Sequence, residues 1–125
     1  MDRKVYNSDR LSKGGPYSHV VEAGGFLYVS GMVPVDSEKG LRITDDIRAA
    51  TALVLDNIGT ALREAGSGLD RVVKVTVFLA DMADFKALNE VYATYFPENP
   101  PARSCVAVRE LPGHFPVEIE AIALR

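Results

Sequence analysis

The stretch R-V-V-K-V-T-V-F-L-A, Arg71 to Ala80, is β-branched and apolar, with Val73, Val75, Val77 and Leu79 expected to line one face of a strand. Such a strand belongs in the middle of a sheet. The elements on either side of it then decide the fold.

Upstream, Ile47, Ala50, Val54, Ile58, Ala61, Leu62 and Ala65 recur at helical spacing. Thr44 or Asp45 is available as N-cap, and Gly66 lies just past the end. Downstream, Phe85, Leu88, Tyr92, Tyr95 and Phe96 form one stripe of a second helix running from about Met82 to Phe96, and Pro97, Pro100 and Pro101 forbid its continuation. Further out, the segments near Val5, from Ser18 to Ala23 and from Phe26 to Gly31 read as strands, the last two joined as a hairpin at Gly24-Gly25. Pro34 to Gly40 reads as a loop, and Ala102 to Val108 and Val117 to Leu124 close the chain as two more strands.

The order β-β-β-α-β-α-β-β predicts one α+β domain over residues 1–125, a mixed sheet of about six strands layered with two helices. Two helices cover only one side of such a sheet. The central and last strands are largely apolar on both faces, so another copy of the chain is expected on the open side.

Composition narrows the function. Apolar residues make up 47% of the 125 and charged residues 25%, with a formal net charge of -3, which offers no basic surface for nucleic acid or anionic lipid. One cysteine and two distant histidines, His19 and His114, suggest neither a disulfide nor a metal site, and no nucleotide-binding glycine loop is present. No apolar run reaches the length of a bilayer span, and the first residues lack the apolar core of a secretory signal, so a cytoplasmic protein without cofactor is expected.

Alternation along P-A-R-S-C-V, Pro101 to Val106, puts Arg103 and Cys105 on one face of their strand, while Glu118 and Glu120 share a face of the last one. If the two strands are adjacent, guanidinium and carboxylate can face one cleft. Two readings stay open. Arg103 either pairs with Glu118 or Glu120 as a structural salt bridge at a subunit interface, or it grips a substrate carboxylate while a glutamate handles water. Cys105 reads as a small buried wall residue more readily than as a nucleophile. His19 and His114 read as surface or loop residues, Tyr17 as a turn aromatic, and Asn89 as an exposed helix residue.

These residues also carry a family resemblance. G-P-Y (Gly15 to Tyr17), Y-V-S-G-M-V-P (Tyr28 to Pro34), V-T-V-F-L-A-D-M-A-D-F with N-E-V-Y (Val75 to Tyr92), P-A-R-S-C-V and V-E-I-E-A-I-A together resemble the Rid family of reactive enamine/imine deaminases, most closely its RidA subfamily. The resemblance implies a chorismate-mutase-like fold, a homotrimer with sites in the clefts between subunits, and cofactor-free hydrolysis of 2-aminoacrylate, 2-aminocrotonate and related 2-imino acids to 2-keto acids and ammonia. Carried onto matching positions, Arg103 binds the substrate carboxylate and Glu118 positions or activates water. Tyr17, Ser30, Gly31, Asn89 and Cys105 line the pocket, with Tyr17 coming from the neighbouring subunit.

Three positions depart from the family pattern: Met32 replaces a frequent glutamine, Gly14 replaces a larger apolar residue, and the turn Leu111 to Pro116 carries Phe115. Met32 and the turn near Phe115 are expected to shape a larger pocket. That leaves open a specialised catabolic deaminase of aminomuconate type, and a non-catalytic trimer that binds keto acids. Ribonuclease activity, also credited to family members, fits poorly with the acidic balance and the lack of a histidine pair.

Overall fold

The computed structural model describes residues 2–125. Strands β1 (Arg3–Tyr6), β2 (Val20–Ala23) and β3 (Phe26–Met32) are followed by a two-stranded ribbon, β4 (Val35–Asp36) and β5 (Leu41–Arg42). Helix α1 (Ile47–Glu64), strand β6 (Val72–Leu79), helix α2 (Phe85–Tyr95) and strands β7 (Ala102–Ala107) and β8 (Val117–Leu124) complete the chain. The main sheet has six strands in the order β1-β2-β3-β8-β6-β7. It is mixed, because β6 and β7 run parallel whereas β8 is antiparallel to both of its neighbours.

The expected α+β layering holds, and β6 is internal, between β8 and β7. Both helices pack on the face bearing Val75, Val77, Val117 and Ile119, where Val54, Leu55, Ile58 and Leu62 of α1 and Leu88 of α2 are fully buried. Burial of each such side chain contributes roughly 1.5–3 kcal/mol. The hairpin at Gly24-Gly25 is also as expected: Ala23 faces Phe26, and both glycines take positive φ, which a tight two-residue turn of this hand requires. On the opposite face Phe26, Tyr28, Val106 and Leu124 remain exposed.

Three local expectations change. Val73 does not share the buried face, because a bulge between Val72 and Lys74 adds one residue; Val72 is buried in its place. The N-cap of α1 is Asp46 rather than Thr44 or Asp45, with its Oδ1 accepting from the Ala49 N–H at 3.1 Å. The segment read as a loop, Pro34 to Gly40, holds β4 and the turn into β5, two strands of two residues each that are too short to show alternation. Its turn is closed by Asp36 Oδ1, which accepts from the N–H groups of Glu38 and Lys39.

That ribbon is tied down. Asn57 of α1 donates to the carbonyl of Val35 at 2.9 Å, and Ile43 N–H donates to the Pro34 carbonyl at 3.0 Å. It therefore stands as a fixed wall over one end of the sheet's open face.

Candidate functional site

The register of β3 against β8 slips between Val29 and Met32, so Ser30 and Gly31 occupy a bulge opposite Glu120 and beside Glu118. The bulge makes room for a carboxylate. A Cβ on Gly31 would lie 2.9 Å from Glu118 Cδ and 3.2 Å from its Cγ, and it would collide with Oε2. Gly31→Ala is therefore expected to displace the Glu118 carboxyl group. If Glu118 acts on a substrate here, activity should fall roughly tenfold or more, because small misplacements of a reacting group are costly. A crystal structure of the variant together with kcat/KM checks this; an unmoved carboxylate would refute it.

The loop before β2 supplies the next wall. Ser30 Oγ donates to the Ser18 carbonyl at 2.6 Å and Ser30 N–H donates to the His19 carbonyl at 3.0 Å, anchoring the loop that carries Tyr17. His19 lies in the loop before β2, one of the two places expected for it, but it is buried at 2% exposure rather than at the surface. Its Nδ1 accepts from Ser8 N–H at 3.0 Å and its Nε2 lies 2.8 Å from the Ser12 carbonyl, an acceptor that requires the proton on Nε2. Both nitrogens are committed to holding the chain. Sequence periodicity missed this because the ring's partners are backbone groups, which leave no pattern in side-chain identity.

Tyr17, Ser30, Gly31 and Glu118 thus gather around one cavity of about 630 Å³, which Arg42 and Phe115 also line. Burial first, and the neighbouring Glu120 charge second, raise the Glu118 carboxyl group above the ordinary glutamate range. Such a group takes up and releases protons nearer neutrality.

Arg103 and Cys105 stand elsewhere. The parallel register pairs Val75 with Arg103 and Val77 with Cys105, which puts both on the helix-covered face, while Glu118 and Glu120 point to the other. Strands β7 and β8 are not adjacent, since β6 lies between them. Within one protomer, Arg103 and Glu118 therefore occupy opposite faces of the sheet and do not meet. Nor does Arg103 pair with Glu120: none of the ion pairs among the described residues includes it.

Its guanidinium lies instead over the rings of Tyr92, at 4.7 Å, and Phe85, at 5.7 Å. Asn89 falls between these two on the same face of α2, four residues after Phe85 and three before Tyr92. Beneath the arginine, Tyr92 Oη is buried with no hydrogen-bond partner among the described residues, a polar atom the stripe pattern had assigned to the core. Burial also pushes the Cys105 thiol up, with the Arg103 charge opposing, so the cysteine is not activated as a nucleophile.

The site residues thus fall into two groups, Tyr17, Ser30, Gly31 and Glu118 in one and Asn89, Arg103 and Cys105 in the other. Tyr17 stands with the glutamate of its own chain. Met32 belongs to neither: at 5% exposure it is part of the core, so of the two positions expected to shape the pocket only Phe115 lines it. Arg42 was not anticipated, because a lone arginine on a two-residue strand carries no spacing signal.

Fold and site together define an α+β domain with a carboxyl-bearing cavity and a cation presented separately on the opposite face of the sheet. The family model described as Endoribonuclease L-PSP matches residues 7–125. A RutC family protein of Pyrococcus horikoshii is 49% identical over 100% of this chain and 99% of its own. The chloroplastic Reactive Intermediate Deaminase A of Arabidopsis thaliana is 42% identical over 87% of this chain and 58% of its own. The crystal structure of E. coli TdcF with bound serine has a TM-score of 0.91 at 36% identity, covering 98% of each chain. The chain belongs to the Rid family, also called YjgF, to which the match to the Endoribonuclease L-PSP model and the Rid names among its relatives assign it.

Proposed function

We propose that the protein is a hydrolytic deaminase of 2-imino acids, acting without a cofactor at clefts completed between the subunits of a homotrimer. The observation that carries this is the division of the site. An arginine with no carboxylate partner among the described residues and a carboxyl group of raised pKa sit on opposite faces of one sheet, so a single substrate meets both only where two copies join. The exposed apolar side chains Phe26, Tyr28, Val106 and Leu124 on the uncovered face support association. The name of the Arabidopsis relative and the serine bound by TdcF support a small amino-acid-derived substrate.

In this reading the planar fork of Arg103 from one copy holds the substrate carboxylate, with Asn89 and Cys105 beside it as pocket wall. Glu118 of the next copy accepts a proton from water as the water oxygen bonds to the imine carbon and the C=N π pair moves to nitrogen. Glu118 returns that proton to nitrogen to give the neutral carbinolamine, then takes the hydroxyl proton and delivers it to the amino nitrogen, so that ammonia leaves with the C–N electron pair as the carbonyl of the 2-keto acid forms. One water is consumed per ammonia released. Tyr17, Ser30 and Gly31 line the cavity in which this water sits.

Mixed subunits test the division. Arg103→Ala and Glu118→Gln proteins, each inactive alone, are unfolded together and refolded, and hydrolysis of 2-iminobutanoate is followed by ammonia release. If the two residues come from different copies, about a quarter of the sites in a random mixture regain both groups, and activity returns to a comparable fraction. No recovery, from a mixture shown by light scattering to be assembled, would mean that the two residues do not serve one interfacial site.

A further inference from the structure

Arg42 has no part in the chemistry above, yet the fold takes pains to present it. It lies on β5, in the ribbon that Asn57 ties to α1, and its guanidinium stacks on the buried ring of Phe115 at 4.6 Å. Its Nη2 donates to the Gly113 carbonyl at a long 3.4 Å. The turn beneath is shaped around the pair. Gly113 and His114 both take positive φ, and a Cβ on Gly113 would lie 2.6 Å from the Phe115 ring and 3.4 Å from Arg42 Nη2. No carboxylate of the described residues forms an ion pair with Arg42, an exposed residue that lines the cavity, so most of its five N–H donors are open to water or to a ligand there.

That cavity is about 630 Å³, much more than a three- or four-carbon imino acid fills, and Glu118 and Arg42 both line it. We infer that Arg42, stacked on Phe115, is a specificity residue for a second anionic group, so that the site prefers 2-imino acids carrying a distal carboxylate over those with plain alkyl side chains. The inference rests on the proposed function, with the α-carboxylate on Arg103 and the distal carboxylate on Arg42. An aromatic-stacked guanidinium suits this role because its fork is held in one plane before the ligand arrives.

The test compares kcat/KM for 2-iminoglutarate and 2-iminobutanoate, each generated in place by an amino-acid oxidase, in the wild type, Arg42→Gln and Phe115→Val. Arg42→Gln is expected to lower the ratio of the first to the second about ten- to a hundredfold, chiefly through KM, and Phe115→Val to lower it less. Turnover of 2-iminobutanoate by Arg42→Gln should stay within about twofold to threefold of the wild type. An unchanged ratio, or an equal loss on both substrates, overturns the inference while leaving the deaminase reading intact. If the wild type hydrolyses neither imine, the deaminase reading fails and calorimetric binding decides the inference instead. Arg42→Gln must then weaken 2-ketoglutarate binding about tenfold or more without changing that of 2-ketobutyrate, and any other result overturns it.

Discussion

Replacing Arg103 with alanine is expected to lower kcat/KM for 2-iminobutanoate by about a hundred- to a thousandfold, the usual cost of removing one partner of a desolvated, bidentate charge pair. Within one protomer the guanidinium makes no ion pair among the described residues and rests on the Tyr92 and Phe85 rings, so its loss should cost the fold little. Lysine at the same position should recover little of the activity, because a compact ammonium group reproduces neither the planar fork nor the stacking that fixes its orientation. Steady-state kinetics beside thermal unfolding separate the two effects. Unchanged kinetics in Arg103→Ala would remove the carboxylate-anchor role, and a large fall in Tm with proportionate loss on every substrate would make the arginine a structural residue.

Glu118→Gln should lose about a hundred- to ten-thousandfold in kcat, the range that a positioned general acid–base supplies, while the protein becomes more stable at neutral pH. The sign follows from the raised pKa. The folded state holds the Glu118 proton more tightly than the unfolded chain does. The contribution of this group to stability is therefore fully present below the ordinary glutamate value and is lost as pH rises through the folded pKa. Glutamine carries no charge at any pH. Its Tm should match that of the wild type in acid and exceed it at neutrality. The wild-type rate should fall on the acid side through a pKa above the ordinary glutamate range, since water activation needs the carboxylate, and the glutamine variant should lack that limb. A variant less stable than the wild type at neutral pH would show that Glu118 is structurally paired rather than held ready for protons.

The fold was legible to the extent that side chains repeat with a period. Val75, Val77 and Leu79 announced β6, Val54, Ile58 and Leu62 announced α1, and the surplus of apolar faces over helices pointed to an open sheet face. Legibility ended wherever a partner was backbone or where one residue was added. The bulge at Val72–Val73 shifted a face, the ribbon's strands were too short to alternate, and His19 was buried by two main-chain hydrogen bonds. Among the site residues, identity and strand face could be read along the chain, but not whether two strands are neighbours.

Alternation alone put Arg103 and Cys105 on one face of their strand and Glu118 and Glu120 on one face of theirs, because side-chain direction along a strand is a local property of the pleat. That β6 comes between those strands, that the two surfaces are opposite faces of the sheet, and that Arg42 lines the same cavity as Glu118 were decided only in three dimensions. Strand order depends on which apolar faces the helices cover and on where the chain can cross, and those are energies summed over the whole molecule rather than carried by any one segment.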